Sequence, residues 1–295
     1  MKEIIRVGYC PMKKYYSVCQ QKICIESPFF SDENPDWRLF EIAPTDADIS
    51  IRCEVSEPLP PSYASECSKG DGIYVSLGDT GVCRRIDMAT KPGVKTFYNH
   101  LEGKSAQAYF TNESLPIMMD SRYMWNSVAT AQLLLPHGAL MMHSSYIESD
   151  GKAILFSGKS GIGKSTQAAL WEKHRSARVI NGDKAGLLVT EDNILACGLP
   201  ICGTSRICHN VTMPLGAIVL LEQGEVNKAE RVTGAAALID VISNIYLDFA
   251  VPNEQQMCVD LLLRIFEKVP VFRLTCTADE RAVAALSEAL GKEAF

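Results

Sequence analysis

AILFSGKSGIGKSTQAALWEK, Ala153 to Lys173, passes from a short apolar run through a glycine-rich turn into a mixture of small and bulky residues. The apolar run has the length of a buried strand, and the residues after Gly163 can continue as a helix. Between them Gly158-Lys159-Ser160-Gly161-Ile162-Gly163-Lys164-Ser165 fits G-x-x-x-x-G-K-[ST], the phosphate-binding loop. Glycine lets the backbone bend so that successive N–H groups surround an anion, and the helix N-terminus adds partial positive charge. The main chain of Gly158, Ser160, Gly161 and Gly163 is therefore expected to wrap the phosphates of a nucleotide. Lys164 should reach the β- and γ-phosphates, the Ser165 hydroxyl should ligate Mg2+, and Thr166 can donate to an inner phosphate. Lys164 is read as an exposed loop lysine, so its loss should cost binding and leave the fold intact.

Working outward, GALMMHSSYIESDGKAILFS reads as two strands joined at Glu148–Gly151, and ARVIN, after the helix, as another strand. AIVLLE (Ala217–Glu222) and VFRLTC (Val271–Cys276) read as strands. AAALIDVISNIYLDF, NEQQMCVDLLLRIFEKV and DERAVAALSEAL read as helices. Interleaved strands and helices predict an α/β layer architecture over 116–295. It opens with IMMDSRYMWNSVATAQLLL, which has no Gly or Pro until Pro136 and predicts one long helix. Residues 1–115 read as a separate β-rich, antiparallel unit. Ile49, Ile51, Cys53 and Val55 alternate with polar residues, and GIYVSLGDTGVCRRIDM and KTFYNHLEGKSAQAYF each place a Gly-containing turn between strand-like runs.

Composition narrows the partners. Among 295 residues, 29 Lys and Arg against 35 Asp and Glu leave a net charge of −6, without the positive field that attracts a nucleic-acid backbone. No apolar run spans a bilayer, and the N-terminal one is too short for a signal-peptide core, so a cytoplasmic location and no membrane partner are expected. The 11 cysteines are scattered without Cys-x-x-Cys pairs, which fits neither a secreted disulfide framework nor a zinc ribbon. Cys197, Cys202, Cys208 and His209 offer metal-binding atoms without structural-zinc spacing, and read as ordinary packing or a loop.

A GTPase reading has some support, since Asp183-Lys184-Ala185-Gly186 fits D-x-x-G and Asn227-Lys228-Ala229-Glu230 nearly fits N-K-x-D. A helix and the ARVIN strand nearly fill the span from Gly158 to Asp183, leaving little room for a switch loop. Asn227 also lies well past the end of AIVLLE, and guanine specificity is set aside.

GKSGIGKST, the histidine of ALMMHSSY and the acid of VINGDKAG together resemble the C-terminal domain of HPr kinase/phosphorylase. The chain is still more similar to the diverse HPr-kinase-like serine kinases, with phosphoenolpyruvate carboxykinase as a distant relative sharing the loop type. The resemblance covers roughly Leu135 to Glu222. It implies a P-loop kinase domain of the HPr kinase/phosphoenolpyruvate carboxykinase type behind a β-rich N-terminal unit. It further implies ATP on Gly158–Thr166, Mg2+ at Ser165 and an acid, a catalytic acid at Asp183, and a contribution from His143. The family's two adjacent aspartates are here Gly182-Asp183. Either one carboxylate serves as both metal partner and base, or another residue supplies the second function.

Phosphoryl transfer needs alignment, charge neutralisation and a base for the attacking hydroxyl. Asp183 suits either duty, although Asn181-Gly182-Asp183 is also a strong turn signal. A histidine such as His143 on a half-buried strand can equally be a satisfied core residue. Glu222 closes AIVLLE where an acid could hold the metal through water, as a solvated strand end would also place one. Arg206, in the loop CGLPICGTSRICHN, could neutralise transferred charge, or simply be a surface residue.

The sequence thus points to an ATP- and Mg2+-dependent kinase acting on a hydroxyl, with serine the family's substrate type, on a small protein, a peptide or a metabolite. The alternative is a regulatory protein that binds ATP without turnover. A carboxykinase-like reaction would need further metal-binding histidine and lysine positions, which are not located. Homo-oligomerisation is expected by family analogy alone.

Overall fold

The computed structural model describes residues 11–28, 30, 35–63, 66–70, 72–79, 81–87, 96–114, 121–248 and 250–292. The N-terminal apolar stretch, the expected unit boundary near 115 and the start of the long helix at 116–120 lie outside them. The chain divides into two compact units, Met1–Ser17 with Gln21–Ala129 and Val18–Gln20 with Thr130–Phe295.

The first unit contains β1 (Met12–Val18), β2 (Gln21–Ser27), a short α1 (Pro35–Arg38), β3 (Glu41–Ile42), β4 (Ile49–Val55), β5 (Glu66–Gly70), β6 (Ile73–Leu77), β7 (Val82–Asp87), β8 (Thr96–Glu102), β9 (Ser105–Phe110) and α2 (Ser121–Ser127). Its sheet runs β3-β1-β2-β4-β9-β8-β7-β6-β5. The β6–β7 and β8–β9 hairpins form as the alternation predicts, and Ile49, Ile51 and Cys53 of β4 are buried while Val55 is exposed. The expectation of a purely antiparallel unit is corrected, because β4 runs parallel to both β2 and β9. Parallel neighbours need a long connection. Residues 28–48 provide the first, and the excursion through β5 to β8 provides the second.

The predicted long helix is broken. The carbonyl of Ser127 accepts from the Asn99 side chain at 2.5 Å and Ala129 turns to φ 57°, so the helical run stops and α3 (Thr130–Leu134) starts afresh. A single turn of 3₁₀ helix, Leu135–His137, follows and ends at Gly138 with φ 78°.

The remaining elements are β10 (Ala139–Ser149), β11 (Lys152–Ser157), α4 (Lys164–Arg175), β12 (Arg178–Asn181), β13 (Lys184–Val189), β14 (Ile194–Cys197), β15 (Thr212–Gln223), β16 (Lys228–Val232), α5 (Gly234–Ile242), α6 (Pro252–Lys268), β17 (Val271–Cys276) and α7 (Glu280–Gly291). Asp150 and Gly151, with φ 51° and 76°, make the tight turn between β10 and β11 that an Asp-Gly pair favours. The architecture is mixed α/β, with β11 parallel to β15 and β15 parallel to β17.

Two layers of core explain why the central strands are apolar on both faces. Ile154 and Phe156 of β11, Val219 of β15 and Leu274 of β17 pack with Ala168 and Trp171 of α4 and Leu286 of α7. Leu155, Ile218 and Val271, on the opposite face, join Leu187, Val241 and Leu262. The alternating orientation of strand side chains assigns each residue to one layer. Helix α5 is shorter than AAALIDVISNIYLDF suggests. Beyond it the main chain pairs with β10, where His143 N donates to Asn244 O at 2.8 Å and Tyr246 N to Met141 O at 2.9 Å.

Candidate functional site

The loop between β11 and α4 has the backbone its glycines permit. Gly158, Gly161 and Gly163 take φ 142°, 78° and 115°, and a Cβ at Gly161 or Gly163 would meet open space. Conformation rather than crowding therefore selects glycine at those two positions. Ile162 N bonds Lys159 O at 3.2 Å inside the loop, and Gln167 N bonds Gly163 O at 2.9 Å as the helix begins. Ser160, Ser165 and Thr166 are exposed. Lys164 is not: it is 8% exposed, and its Nζ donates to the carbonyls of Gly158 at 3.0 Å and Lys159 at 3.2 Å. The expected exposed lysine is thus a buried cation folded back on its own loop. Burial lowers its pKa, and the charge of Asp183 partly opposes that shift.

Strand β11 sets the loop between two other predicted residues. On one side Ser157 Oγ donates to His143 O at 2.7 Å. On the other, Ser157 pairs with Leu220, two residues before Glu222 at the end of β15. Glu222 is exposed, accepts from Thr275 Oγ1 at 3.4 Å, and shares with Gly158 and Lys159 the wall of a cavity of about 370 Å³.

Asp183 is presented by a turn. Strands β12 and β13 both pair with β10, Asn181 opposite Tyr146 and Lys184 opposite His143, so Gly182 and Asp183 bridge them without loss of register. Asn181 is fully buried; its Oδ1 accepts from the N–H groups of Asp183 at 2.9 Å and Lys184 at 3.0 Å. Its Nδ2 donates to Leu199 O at 3.1 Å and Ile201 O at 3.0 Å. The turn signal and the candidate acid are one device: a satisfied buried amide shapes the turn that aims the carboxylate.

The carboxylate lies between two basic side chains. Asp183 Oδ1 is 3.5 Å from His143 Nε2, and Oδ2 is 2.6 Å from Lys184 Nζ. Burial by itself would raise the Asp183 pKa. The hydrogen bond to His143 and the charge and hydrogen bond of Lys184 outweigh it and hold the group well below the usual carboxylate range. Lys184, its side chain 7% exposed, sits 4.8 Å over the Tyr246 ring. Its pKa is raised, because Tyr246 and Asp183 overcome the burial that would lower it. Sequence reading missed Lys184, which entered only as part of D-x-x-G. The available signal was its place directly after the acid, on the strand that faces the histidine.

The segment between β14 and β15 covers this acid. A Cβ on Gly203 would lie 2.7 Å from Asp183 Cβ, and one on Gly182 would lie 2.2 Å from Ser205 Oγ. Gly182 N donates to Ile207 O at 3.3 Å, and His209 N to Ile180 O at 2.9 Å. The space beside the acid, where a second carboxylate would start, is thus filled by a serine hydroxyl. Arg206, with φ 54°, belongs to the same turn but is exposed, and among the described residues its guanidinium makes no hydrogen bond or ion pair. Cys197, Cys202 and Cys208 are buried.

Ser165, Asp183 and Glu222 each carry an oxygen of the hard kind that Mg2+ takes, and the N–H groups of a glycine loop are of the kind that a polyphosphate takes. Gly186 lies within β13, opposite Cys197, and Asn227 is engaged by Thr277 Oγ1 at 2.8 Å.

No protein-family model matches the chain, and no curated protein does. Among solved structures it is similar to the Hpr(Ser) kinase/phosphatase from Coxiella burnetii, at 11% identity over 52% of this chain and 99% of that one, with a TM-score of 0.30. The similarity is weak.

Proposed function

We propose that the protein is an ATP- and Mg2+-dependent kinase that transfers the γ-phosphoryl group to a hydroxyl, of the serine type, on a small protein, peptide or metabolite. The observation that carries this reading is the meeting of a positive-φ glycine loop and its lysine with an ionised carboxylate held by His143 and Lys184. Amides of Gly158 to Gly163 and the start of α4 would bind the phosphates, with Thr166 donating to an inner one. Lys164 would leave the carbonyls of Gly158 and Lys159 for the β- and γ-phosphates, which restores the charge stabilisation that burial removes. Ser165, Asp183 and Glu222 would hold Mg2+, which neutralises phosphate charge when bound. Asp183 takes the proton of the attacking hydroxyl, and His143 steadies the carboxylate through its Nε2. Arg206 would reach the site only by movement of its loop.

A second reading, an ATP-binding regulator without turnover, has an observation in its favour: Asp183 is already paired with Lys184, and Gly182 brings no second acid. ADP release from ATP and Mg2+, wild type against Asp183→Asn, separates the two. For the kinase, turnover falls by about 10²–10⁴-fold while ATP affinity persists. ATP binding with no turnover that depends on Asp183 would establish the regulator.

A further inference from the structure

The cavity of about 370 Å³ beside Gly158 and Lys159 lies at the low end of the range for small-molecule sites, roughly 300–1,000 Å³. Its position relative to the loop identifies which end of a nucleotide it adjoins. The lining residues of the loop are Gly158 and Lys159, whose carbonyls hold the ammonium of Lys164, the group that serves the β- and γ-phosphates. Thr166, which would donate to an inner phosphate, takes no part in the lining. The cavity therefore opens at the terminal-phosphate end, where an acceptor must enter. Asn244, also in its wall, accepts through its main-chain carbonyl from the main-chain N–H of His143, the residue whose side chain faces Asp183.

The wall carries two charges of each sign, Lys159 and Arg273 against Glu222 and Asp240, and one opposite pair is in contact. Arg273 of β17 and Asp240 of α5 form an ion pair at 2.5 Å, with side chains 40% and 46% exposed. An occupant with an anionic group alone would face Asp240 and Glu222, and a cationic one would face Arg273 and Lys159. A zwitterion satisfies both partners, its carboxylate on the guanidinium and its ammonium on Asp240. The C-terminal end of α5, capped by Ser243 in the wall, adds partial negative charge on the ammonium side.

Resting on the kinase reading above, we infer that this cavity is the acceptor subsite and that the acceptor is a free hydroxyl-bearing amino acid. Its hydroxyl oxygen forms a bond to the γ-phosphorus as the bond from that phosphorus to the β,γ-bridging oxygen breaks. The bonding pair leaves with ADP, and the hydroxyl proton passes to the Asp183 carboxylate. The products are ADP and the phosphomonoester of the amino acid.

The test measures ADP release by the full chain with ATP and Mg2+ in the presence of L-serine, L-threonine, L-homoserine, D-glycerate, glycerol, or a serine peptide blocked at both ends. At least one free amino acid should accelerate release and yield a phosphorylated product by mass spectrometry, while glycerate, glycerol and the blocked peptide do not. Arg273→Met and Asp240→Asn should each raise KM for that amino acid by about tenfold or more, with KM for ATP within about twofold. Two variants from opposite partners guard against a single misfolded one. Acceleration by the blocked peptide or by glycerate equal to that by the amino acids would overturn the inference, as would an unchanged amino-acid KM in both variants. Asp183-dependent ATP hydrolysis that no amino acid accelerates would overturn it and leave the kinase reading standing. Absence of ATP binding would remove both.

Discussion

Asp183 is held ionised by two neighbours and oriented by a third, and the consequences of each differ. Its folded pKa lies below its unfolded value, so the unfolded state binds the extra proton and stability rises with pH through that interval. The contribution is complete above the unfolded pKa of about 3.9 and is lost as pH falls toward the folded value. Denaturant unfolding of wild type and Asp183→Asn should therefore show a stability gap that is constant from about pH 5 to 8 and closes in stronger acid. A gap that changes across the neutral range would mean that some other group titrates with Asp183. Lys184 works in the opposite sense, its pKa being raised, and holds its charge throughout that window. The Asn181-Gly182-Asp183 letters disclosed the turn, but not that the same amide ties down Leu199 and Ile201. Those partners lie far along the chain, and no local pattern reports them.

At the scale of elements, the segment from Gly198 to Val211 and the β12–β13 bridge form a matched pair. Ser205 Oγ occupies the space that any side chain at 182 would enter. Gly182→Asp should accordingly destabilise by about 1–3 kcal/mol through overpacking, with much of the loss recovered in the double variant with Ser205→Gly. Thermal melting of the single and double variants measures this directly; equal losses in both would place the strain elsewhere. Element legibility followed the same division between local and distant causes. The strand, glycine loop and helix of 153–173 were readable, because apolar run, glycine spacing and helical residues succeed one another. KAGLLV and ILAC, which form β13 and β14, were not assigned, since short apolar runs inside a Gly-rich stretch carry little periodicity. The end of α5 at Ile242 and the break at Ala129 are set by pairing to β10 and by the Asn99 side chain, which no helical pattern contains. The parallel pairs of β4 likewise depend on connections rather than on alternation.

At the scale of the whole molecule, ligand binding should appear as stability. If the loop takes ATP with Mg2+, a concentration of 100 Kd adds about 2.7 kcal/mol, a rise in Tm of roughly 5–10 °C. Lys164→Ala should abolish that rise, while its own Tm changes little: deleting a buried cation relieves its desolvation and forfeits two hydrogen bonds to carbonyls. Calorimetry with and without nucleotide reads both effects. A full ATP-induced rise in the variant would exclude Lys164 from the binding site. Among the described residues no helix is long and apolar enough to cross a membrane.

The pairing of β11 with β10 on one side and β15 on the other, and the return of β15 through β14 and β13 to β10, closes a circuit of main-chain ladders around the strand that carries the glycine loop. No end of that circuit can peel away by itself, so amide deuteration at Ile154 to Phe156 should await global unfolding. The covering turn at Gly203–Arg206 should label far sooner. A rigid cradle under a yielding cover would let a ligand come and go without the anchorage ever loosening.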